Sequence, residues 1–256
     1  MSAFRVVQFN MQYGQVWNDD DPDGAPVNLF ETCREIRRHN ADIILLQEVE
    51  HVGPDGMRPA SQPNYQRLQS ALKGYDSVLA FPRPDPRELP FGTGLAIFSR
   101  TALHDFERHE LPSPPIPFTF GGGERTPTDR LMIGVTTQVA GRRLRLFNTH
   151  LLAFFMLNSS SELHPGQRRR VVEILRQAPE PALIGGDFNV SRHAPLVEQM
   201  GEAGFAPVQA AVPTWRRRPY VLDHIFLGRG LRCISHAVVE TQASDHHVLV
   251  ADVEFT

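Results

Sequence analysis

The apolar runs of this chain are short, and four of them lead directly into polar residues. The run at residues 41–46 is continuous, which is typical of a strand buried on both faces, and Gln47 and Glu48 follow it. The same change occurs at Phe9-Asn10, at Gly185-Gly186-Asp187-Phe188-Asn189 and at Ser244-Asp245-His246. This pattern favours a fold of buried strands whose ends carry polar groups.

Helical periodicity lies between these runs. Leu29, Cys33 and Ile36 recur at i, i+4 and i+7, and Asn28 precedes Glu31 by three residues, which is a helix start signal. Further helices are predicted around residues 65–72 and 171–175, and strands over residues 4–9, 41–46, 77–81, 95–98, 131–139, 144–148, 182–184, 222–227, 233–239 and 248–253. Segments 82–90 and 111–127 are rich in Pro and Gly, so we predict irregular loops there.

The order of these elements predicts an α/β fold built as one domain over residues 1–256. The second half repeats the arrangement of the first, with polar residues at the carboxyl ends of strands and helices in between. Two sheets packed face to face would bring those ends to one edge. We therefore expect a four-layer α/β/β/α sandwich, with two mostly antiparallel mixed sheets inside and helices outside.

Composition excludes several classes of protein. The formal net charge is −3, whereas proteins that grip long stretches of nucleic acid are more often basic. This charge does not argue against a small or membrane-bound phosphoester as substrate. Two cysteines in 256 residues do not form a disulfide framework or a cysteine zinc site. No signal peptide and no apolar run of about 20 residues is present, so we expect a cytoplasmic protein without a transmembrane segment, and a monomer.

The polar residues at the strand ends have the chemistry of a metal site. Hard divalent cations prefer oxygen ligands, and a carboxylate at the mouth of a buried strand is rigidly held. Glu48 is such a carboxylate. Gly185 and Gly186 are expected to let the backbone turn sharply before Asp187 and to let a substrate approach. Asp187 and Asn189 are two apart, so on an extended segment they would point the same way.

The motifs together resemble the endonuclease/exonuclease/phosphatase superfamily. Besides the four segments above, the resemblance rests on Gly94-Leu95-Ala96-Ile97-Phe98-Ser99-Arg100, Asn148-Thr149-His150-Leu151 and Leu222-Asp223-His224-Ile225-Phe226. It covers nearly the whole chain, in the order of the family. Gln12 stands where abasic-site endonucleases resemble one another in having an acid, so that activity is disfavoured.

The resemblance implies a divalent cation, Mg²⁺ or Mn²⁺, and its ligands. Glu48 is expected to be the principal ligand, supported by Asn10, and Asp245 to be the other carboxylate on the metal side. Asp187 and Asn189 are expected to orient the attacking water and to contact the phosphate.

The remaining site residues implied by the resemblance act in proton transfer and charge stabilisation. Asp223 and His246 resemble a catalytic dyad, in which a carboxylate fixes the tautomer of a histidine. His246 is then the general base, although Asp187 is an alternative for that role. His150, at the end of its strand, would stabilise charge on the phosphate oxygens.

The substrate remains open at the level of sequence. The leading expectation is metal-assisted in-line hydrolysis of a phosphodiester, as in a nuclease or another phosphodiesterase. The alternatives are a phosphomonoesterase acting on a sugar, inositol or lipid-headgroup phosphate, and a catalytically silent binding protein. The apolar segment 151–157 after His150 either fills the core or touches an apolar or aromatic part of the substrate. Residues 215–220, with Trp215, Tyr220 and three arginines, combine aromatic surface with positive charge.

Overall fold

Two six-stranded mixed sheets form the centre of the fold in the computed structural model, which describes residues 3–53, 56–89 and 93–256. The first sheet contains, in spatial order, β13 (Leu231–Val239), β14 (Val248–Phe255), β1 (Phe4–Asn10), β2 (Ile43–Gln47), β4 (Leu95–Ser99) and β3 (Asp76–Ala80). The second contains β11 (Ala206–Pro207), β12 (Asp223–Leu227), β10 (Ala182–Asp187), β9 (Arg142–His150), β8 (Arg130–Val139) and β5 (His104–Leu111). A separate hairpin is formed by β6 (Phe118–Phe120) and β7 (Gly123–Arg125).

Helices cover the outer face of each sheet, so the predicted four-layer α/β/β/α sandwich is confirmed. They are α1 (Leu29–Arg38), α2 (Pro63–Ala71), α3 (Gly166–Arg176) and α4 (Ala194–Glu202). One apolar cluster, which includes Leu45 and Leu183, lies between the two sheets. A second lies under α1 and α2 and a third under α3 and α4. No helix in these described ranges is long and apolar enough to cross a membrane.

The start of α1 follows from its sequence as predicted. The side chain of Asn28 accepts a hydrogen bond from the backbone N–H of Glu31, which satisfies one of the free donors of the first turn. Cys33 and Ile36 are buried against the first sheet. Arg37 and Arg38 lie in the last turn, where positive charge is favourable.

Strand direction brings the polar strand ends together. β1 runs parallel to β2, with Asn10 paired to Gln47, and β9 runs parallel to β10, with His150 paired to Asp187. Because parallel strands end at the same edge, the polar groups that follow these strands meet at one edge of each sheet. β12 runs antiparallel to β10, which places its first residue, Asp223, beside Asp187.

Several sequence-based expectations for local structure were wrong or incomplete. The segment 111–127 contains the hairpin of β6 and β7, although Pro and Gly predicted an irregular loop. β5 was missed because its sequence is polar: it is an edge strand in which five of eight residues are exposed. α4 was missed as well, although it buries Leu196 and Met200 one turn apart.

The two glycines before Asp187 have a different purpose from the one expected. Both lie inside β10 rather than in a turn. A Cβ on Gly186 would lie 2.3 Å from the carbonyl oxygen of Thr149, and one on Gly185 would lie 2.5 Å from Leu45 of the opposite sheet. Close packing therefore requires glycine here, because any side chain would collide with the neighbouring strand or with the facing sheet.

Candidate active site

Two carboxylates and a histidine from both sheets meet at the common edge. The Nε2 atom of His150 lies 3.8 Å from Oε1 of Glu48 and 3.6 Å from Oδ2 of Asp187. The ligand atoms of these three residues all lie within 4.8 Å of one another. The structure thus brings together three side chains that are far apart in sequence and that could hold a metal ion.

Asn10 links the two carboxylates. Its Nδ2 donates hydrogen bonds to Oε1 of Glu48 at 2.9 Å and to Oδ2 of Asp187 at 3.0 Å. Its side-chain oxygen, Oδ1, accepts a hydrogen bond from the backbone N–H of Gln12 at 3.1 Å. In this orientation the amide of Asn10 holds the carboxylates in place, while its assignment as a metal ligand stays a prediction.

Glu48 leaves its strand through an unusual backbone conformation. Its φ of +51° lies in the left-handed region, which is uncommon for a residue other than glycine. The backbone carbonyl of Glu48 accepts a 2.7 Å hydrogen bond from the N–H of Tyr13, whose φ is +45°. Two left-handed residues held against each other next to the carboxylate cluster are typical of a functional site, where strain is retained because it directs a side chain.

Asp223 and His246 form the dyad that their motifs predicted. The Nδ1 of His246 lies 2.8 Å from Oδ2 of Asp223, and both side chains are buried. The other ring nitrogen, Nε2, faces Oδ2 of Asp187 at 3.8 Å. The dyad is therefore oriented so that Nε2 points into the carboxylate cluster.

Buried amides support this dyad, and sequence reasoning missed them. Nε2 of Gln8 donates to Oδ1 of Asp223 at 3.0 Å and to Oε1 of Gln47 at 2.6 Å. Nε2 of Gln47 donates in turn to Oδ1 of Asn148 at 2.7 Å. A signal was present, because Gln8 lies two residues before Asn10 and so on the same face of β1. Buried hydrogen-bond networks of this kind fix side-chain orientation.

Asn189 does not extend in the direction of Asp187, contrary to the expectation for an extended segment. Its φ is +49°, and its backbone N–H donates to Oδ1 of Asp187 at 2.9 Å. Its side-chain Nδ2 donates to the carbonyl of Leu151 at 3.0 Å. Asn189 thus closes a turn that holds one oxygen of Asp187, and its contact with phosphate stays a prediction.

Asp245 lies near the same ring nitrogen of His246 as Asp187 does, and it is held by two donors. Its Oδ2 accepts from Nε1 of Trp215 at 3.1 Å and from Nε of Arg217 at 2.9 Å. Its Oδ1 lies 3.9 Å from Nε2 of His246. One carboxylate oxygen is thus occupied by protein donors and the other faces the site.

The electrostatics of the site show a shortage of positive charge. Burial, reinforced by the charge of Asp245, raises the pKa of Glu48 to about 7. Burial also raises the pKa of Asp187 to about 8, with Asp223 and Glu48 adding to the rise. Burial lowers the pKa of His150 well below its usual value, whereas Asp223 and Asp187 raise the pKa of His246. A divalent cation fits such a donor set, because it would supply the charge that favours the ionised carboxylates.

Arg130 is a further site residue that sequence reasoning missed. It begins β8, and its neighbour Leu131 is paired with His150. Arg130 and His150 line the same small cavity, and the positive charge of Arg130 lowers the pKa of both Glu48 and His150. The only sequence signal for Arg130 was a charged residue at the start of an apolar strand. This feature is too common in proteins to identify a site residue.

In the segment that follows His150, some side chains are buried in the core and others lie at the surface near the site. Leu151, Leu152 and Phe154 are buried, whereas Met156 is 64% exposed. Phe155 is half-buried and contacts other aromatic residues near His246. The segment therefore combines both alternatives, because Leu151, Leu152 and Phe154 fill the core and Phe155 lies at its edge.

Comparison with known proteins agrees with this geometry. A family model, described as the Endonuclease/Exonuclease/phosphatase family, matches residues 7–246. No curated protein matches the sequence.

Solved structures share the fold at low identity. The endonuclease/exonuclease/phosphatase from Beutenbergia cavernae DSM 12333 has a TM-score of 0.71 and 22% identity, over 100% of this chain and 72% of that chain. The mannosyl-6-phosphatase of Bacteroides thetaiotaomicron VPI-5482 has a TM-score of 0.69 and 17% identity, over 98% and 100%. The catalytic domain of human Nocturnin, solved with a bound sulfate anion, has a TM-score of 0.67 and 20% identity, over 99% and 94%.

Proposed function

Because this chain belongs to the endonuclease/exonuclease/phosphatase family, we propose that it is a divalent-metal-dependent phosphoesterase that hydrolyses phosphodiesters by in-line attack of water. The observation that supports this most is the convergence of Glu48, Asp187 and the Asp223–His246 dyad at one edge. The ligand atoms of Glu48, His150 and Asp187 lie within 4.8 Å of one another, and so do those of Asp187, Asp223 and His246. A silent binding protein would not need a dyad aimed at a carboxylate cluster.

The proposed cation is Mg²⁺ or Mn²⁺, with Glu48, Asn10 and Asp245 as its ligands. When bound, such an ion polarises a phosphoryl oxygen and stabilises the charge of the transition state. The donor set is rich in oxygen, as these ions prefer.

The protein side of the mechanism follows from the dyad. Asp223 holds the ring of His246 through Nδ1, so that Nε2 is the atom that can take a proton from the attacking water. Asp187, 3.8 Å from Nε2, is the alternative base or a group that orients the water. We assign Asn189 and His150 to the phosphate, where the ring of His150 donates to an oxygen as negative charge builds up.

Charge favours a diester over a monoester. Four carboxylates crowd the site, and Arg217 is already paired with Asp245 and Asp23. A monoester carries up to two negative charges and a diester one, so a monoester would meet more repulsion. A phosphomonoesterase is still the second candidate, because the Bacteroides thetaiotaomicron mannosyl-6-phosphatase shares the fold over 98% of this chain.

The test compares bis-p-nitrophenyl phosphate with p-nitrophenyl phosphate, with Mg²⁺, with Mn²⁺ and with EDTA. We expect faster hydrolysis of the diester, its loss in EDTA and its recovery on adding back metal. Glu48→Gln is the matched variant, since it keeps the size of the side chain and removes the charge. Full activity in EDTA, or equal activity of Glu48→Gln, would contradict the proposal, and faster hydrolysis of the monoester would favour the second candidate.

A further inference from the structure

Three aromatic side chains form a continuous surface beside the dyad. We call Phe155, Trp215 and Tyr220 the aromatic wall. The ring of Phe155 lies 5.5 Å from that of Trp215 and 5.4 Å from that of Tyr220. The rings of Trp215 and Tyr220 are 6.2 Å apart and close to parallel, with an interplanar angle of 27°. All three side chains are half-buried, so part of the wall faces solvent.

The wall is joined to the reacting centre. The ring of Trp215 lies 6.3 Å from the ring of His246, and the two residues form a backbone bridge. Nε1 of Trp215 donates to Asp245, so a site carboxylate fixes the orientation of the indole. The wall is therefore held at a defined distance from the place where water is activated in the proposed function.

The arrangement of Phe155 argues against simple core filling. Its neighbour Phe154 is 2% exposed and packs inside, while Phe155 leaves the core and joins residues from another segment, 215–220. The guanidinium of Arg218 lies over Tyr220, 6.0 Å from the ring centre, and adds positive charge at the outer end of the wall. Half-exposed aromatic faces next to positive charge suit a planar ring attached to a phosphate.

Resting on the proposed function, we propose that the aromatic wall is a specificity site for a planar aromatic ring on the ester group that stays on phosphorus. In an in-line displacement the attacking and leaving oxygens lie on opposite sides of phosphorus. His246 marks the attacking side, and the wall lies beside His246. The leaving group departs on the other side, so the group that contacts the wall is the one that is retained.

The experiment uses two diesters with the same leaving group, p-nitrophenyl phenyl phosphate and p-nitrophenyl methyl phosphate. We expect the wild type to prefer the phenyl ester in kcat/KM and Phe155→Ala to lose about tenfold of that preference, mainly through KM, as for loss of one ring stack. Phe155→Leu keeps an apolar side chain without a ring and should lose most of the preference too. Met156→Ala, an exposed neighbour outside the wall, should keep it.

Each outcome has a separate meaning. A preference that survives in Phe155→Ala, Phe155→Leu and Tyr220→Ala would overturn the proposal, and so would its absence in the wild type. An equal rise in KM for both esters would place the leaving ring on the wall and would also overturn it. Hydrolysis of neither ester would instead remove the proposed function, and the wall's role in it.

Two further arms refine the result. In thymidine 5′-(p-nitrophenyl phosphate) the ring that stays on phosphorus is a nucleobase. A similar loss of kcat/KM for this ester in Phe155→Ala would identify nucleotides as the substrate class. A loss with the phenyl ester alone would identify aryl esters instead. Trp215→Phe keeps a ring but removes the N–H donated to Asp245. It should retain the phenyl preference while kcat falls for both esters, and loss of the preference with an unchanged kcat would contradict the division of roles.

Discussion

Arg217 donates from Nε to Oδ2 of Asp245 at 2.9 Å, and its Nη1 pairs with Oδ1 of Asp23 at 2.8 Å. The guanidinium lies over the ring of Trp17, 5.5 Å from its centre. Arg217 therefore ties a site carboxylate to the loop that carries Trp17 and Asp23. Asp23 is exposed to solvent, and through Arg217 it is linked to the rim of the site.

Removing this link should impair catalysis more than stability. Arg217→Gln is expected to lower kcat about tenfold, because Asp245 loses a charge-assisted hydrogen bond of about 1.5–3 kcal/mol and becomes mobile. Steady-state kinetics and thermal melting measure the two effects. Arg216→Gln is the control, since Arg216 lies over the same Trp17 ring but donates to the carbonyl of Thr241. Equal kinetic losses in both variants would mean that the contact with Asp245 is not what matters.

Metal binding should stabilise the protein in a way that depends on Glu48. The pKa values of Glu48 and Asp187 are raised because both carboxyl groups are buried and because their ionised forms are repelled by neighbouring acids when no cation is bound. We expect Mg²⁺ or Mn²⁺ to raise Tm in a concentration-dependent manner. Glu48→Gln removes one charge, so its Tm in EDTA should equal or exceed that of the wild type while the rise with metal is lost. A full metal-induced rise in Glu48→Gln would exclude Glu48 as a ligand.

The dyad should behave as a unit. Loss of a positioned general base typically costs about 10²–10⁴-fold in rate, so His246→Ala should lower kcat by that much. Asp223→Asn should lower kcat in the same direction, because the ring loses the partner of Nδ1. The double variant should be little worse than His246→Ala alone. Fully additive losses in rapid-quench or steady-state measurements would show that the two residues do not cooperate.

Neighbouring phenylalanines should respond in opposite ways. Phe154 is 2% exposed, so Phe154→Ala should lower the free energy of unfolding by about 3–5 kcal/mol, as for other buried Phe truncations. Phe155→Ala should lower it less, because Phe155 is half-buried on the rim. Denaturant unfolding of the two variants measures the difference. Equal losses would place Phe155 in the core and weaken its assignment to the aromatic wall.

His224 should make stability fall in mild acid. It is fully buried, and burial lowers its pKa to about 4, against the 6.5 of an ordinary histidine. The unfolded chain therefore binds a proton between pH 6.5 and 4 that the folded chain excludes, so this residue's contribution to stability is present above pH 6.5 and is lost as the pH falls towards 4. The full loss would be about 3 kcal/mol, at about 1.4 kcal/mol per pKa unit. Melts of His224→Gln should show a weaker decline over this range, and an identical decline would contradict the assignment.

The strand ends could be predicted from local sequence alone. A continuous apolar run before Glu48 and an apolar run before Asp187 favour buried strands, because burial on both faces leaves no polar period. Parallel neighbours bring such ends to one edge of each sheet. The predicted face-to-face packing of the two sheets then brings Glu48, which follows β2, close to Asp187, which ends β10. The polar edge strand β5 was not predicted, because there tertiary contacts outweigh the local sequence pattern.

What only the tertiary structure decided is orientation. The residues around Asn189 do not reveal that its backbone is left-handed. This conformation directs its side chain towards the carbonyl of Leu151, so that it does not lie parallel to the side chain of Asp187. Phe154 and Phe155 are identical in type, and a short 3₁₀ turn sends one inward and the other to the rim. Arg217 and Asp245 are 28 residues apart, and their hydrogen bond exists because packing places the segment 214–220 against the strand that leads from His246. The direction of each of these side chains depends on neighbours that are distant in sequence. The hydrophobic and polar pattern of the local sequence contains no information about those neighbours.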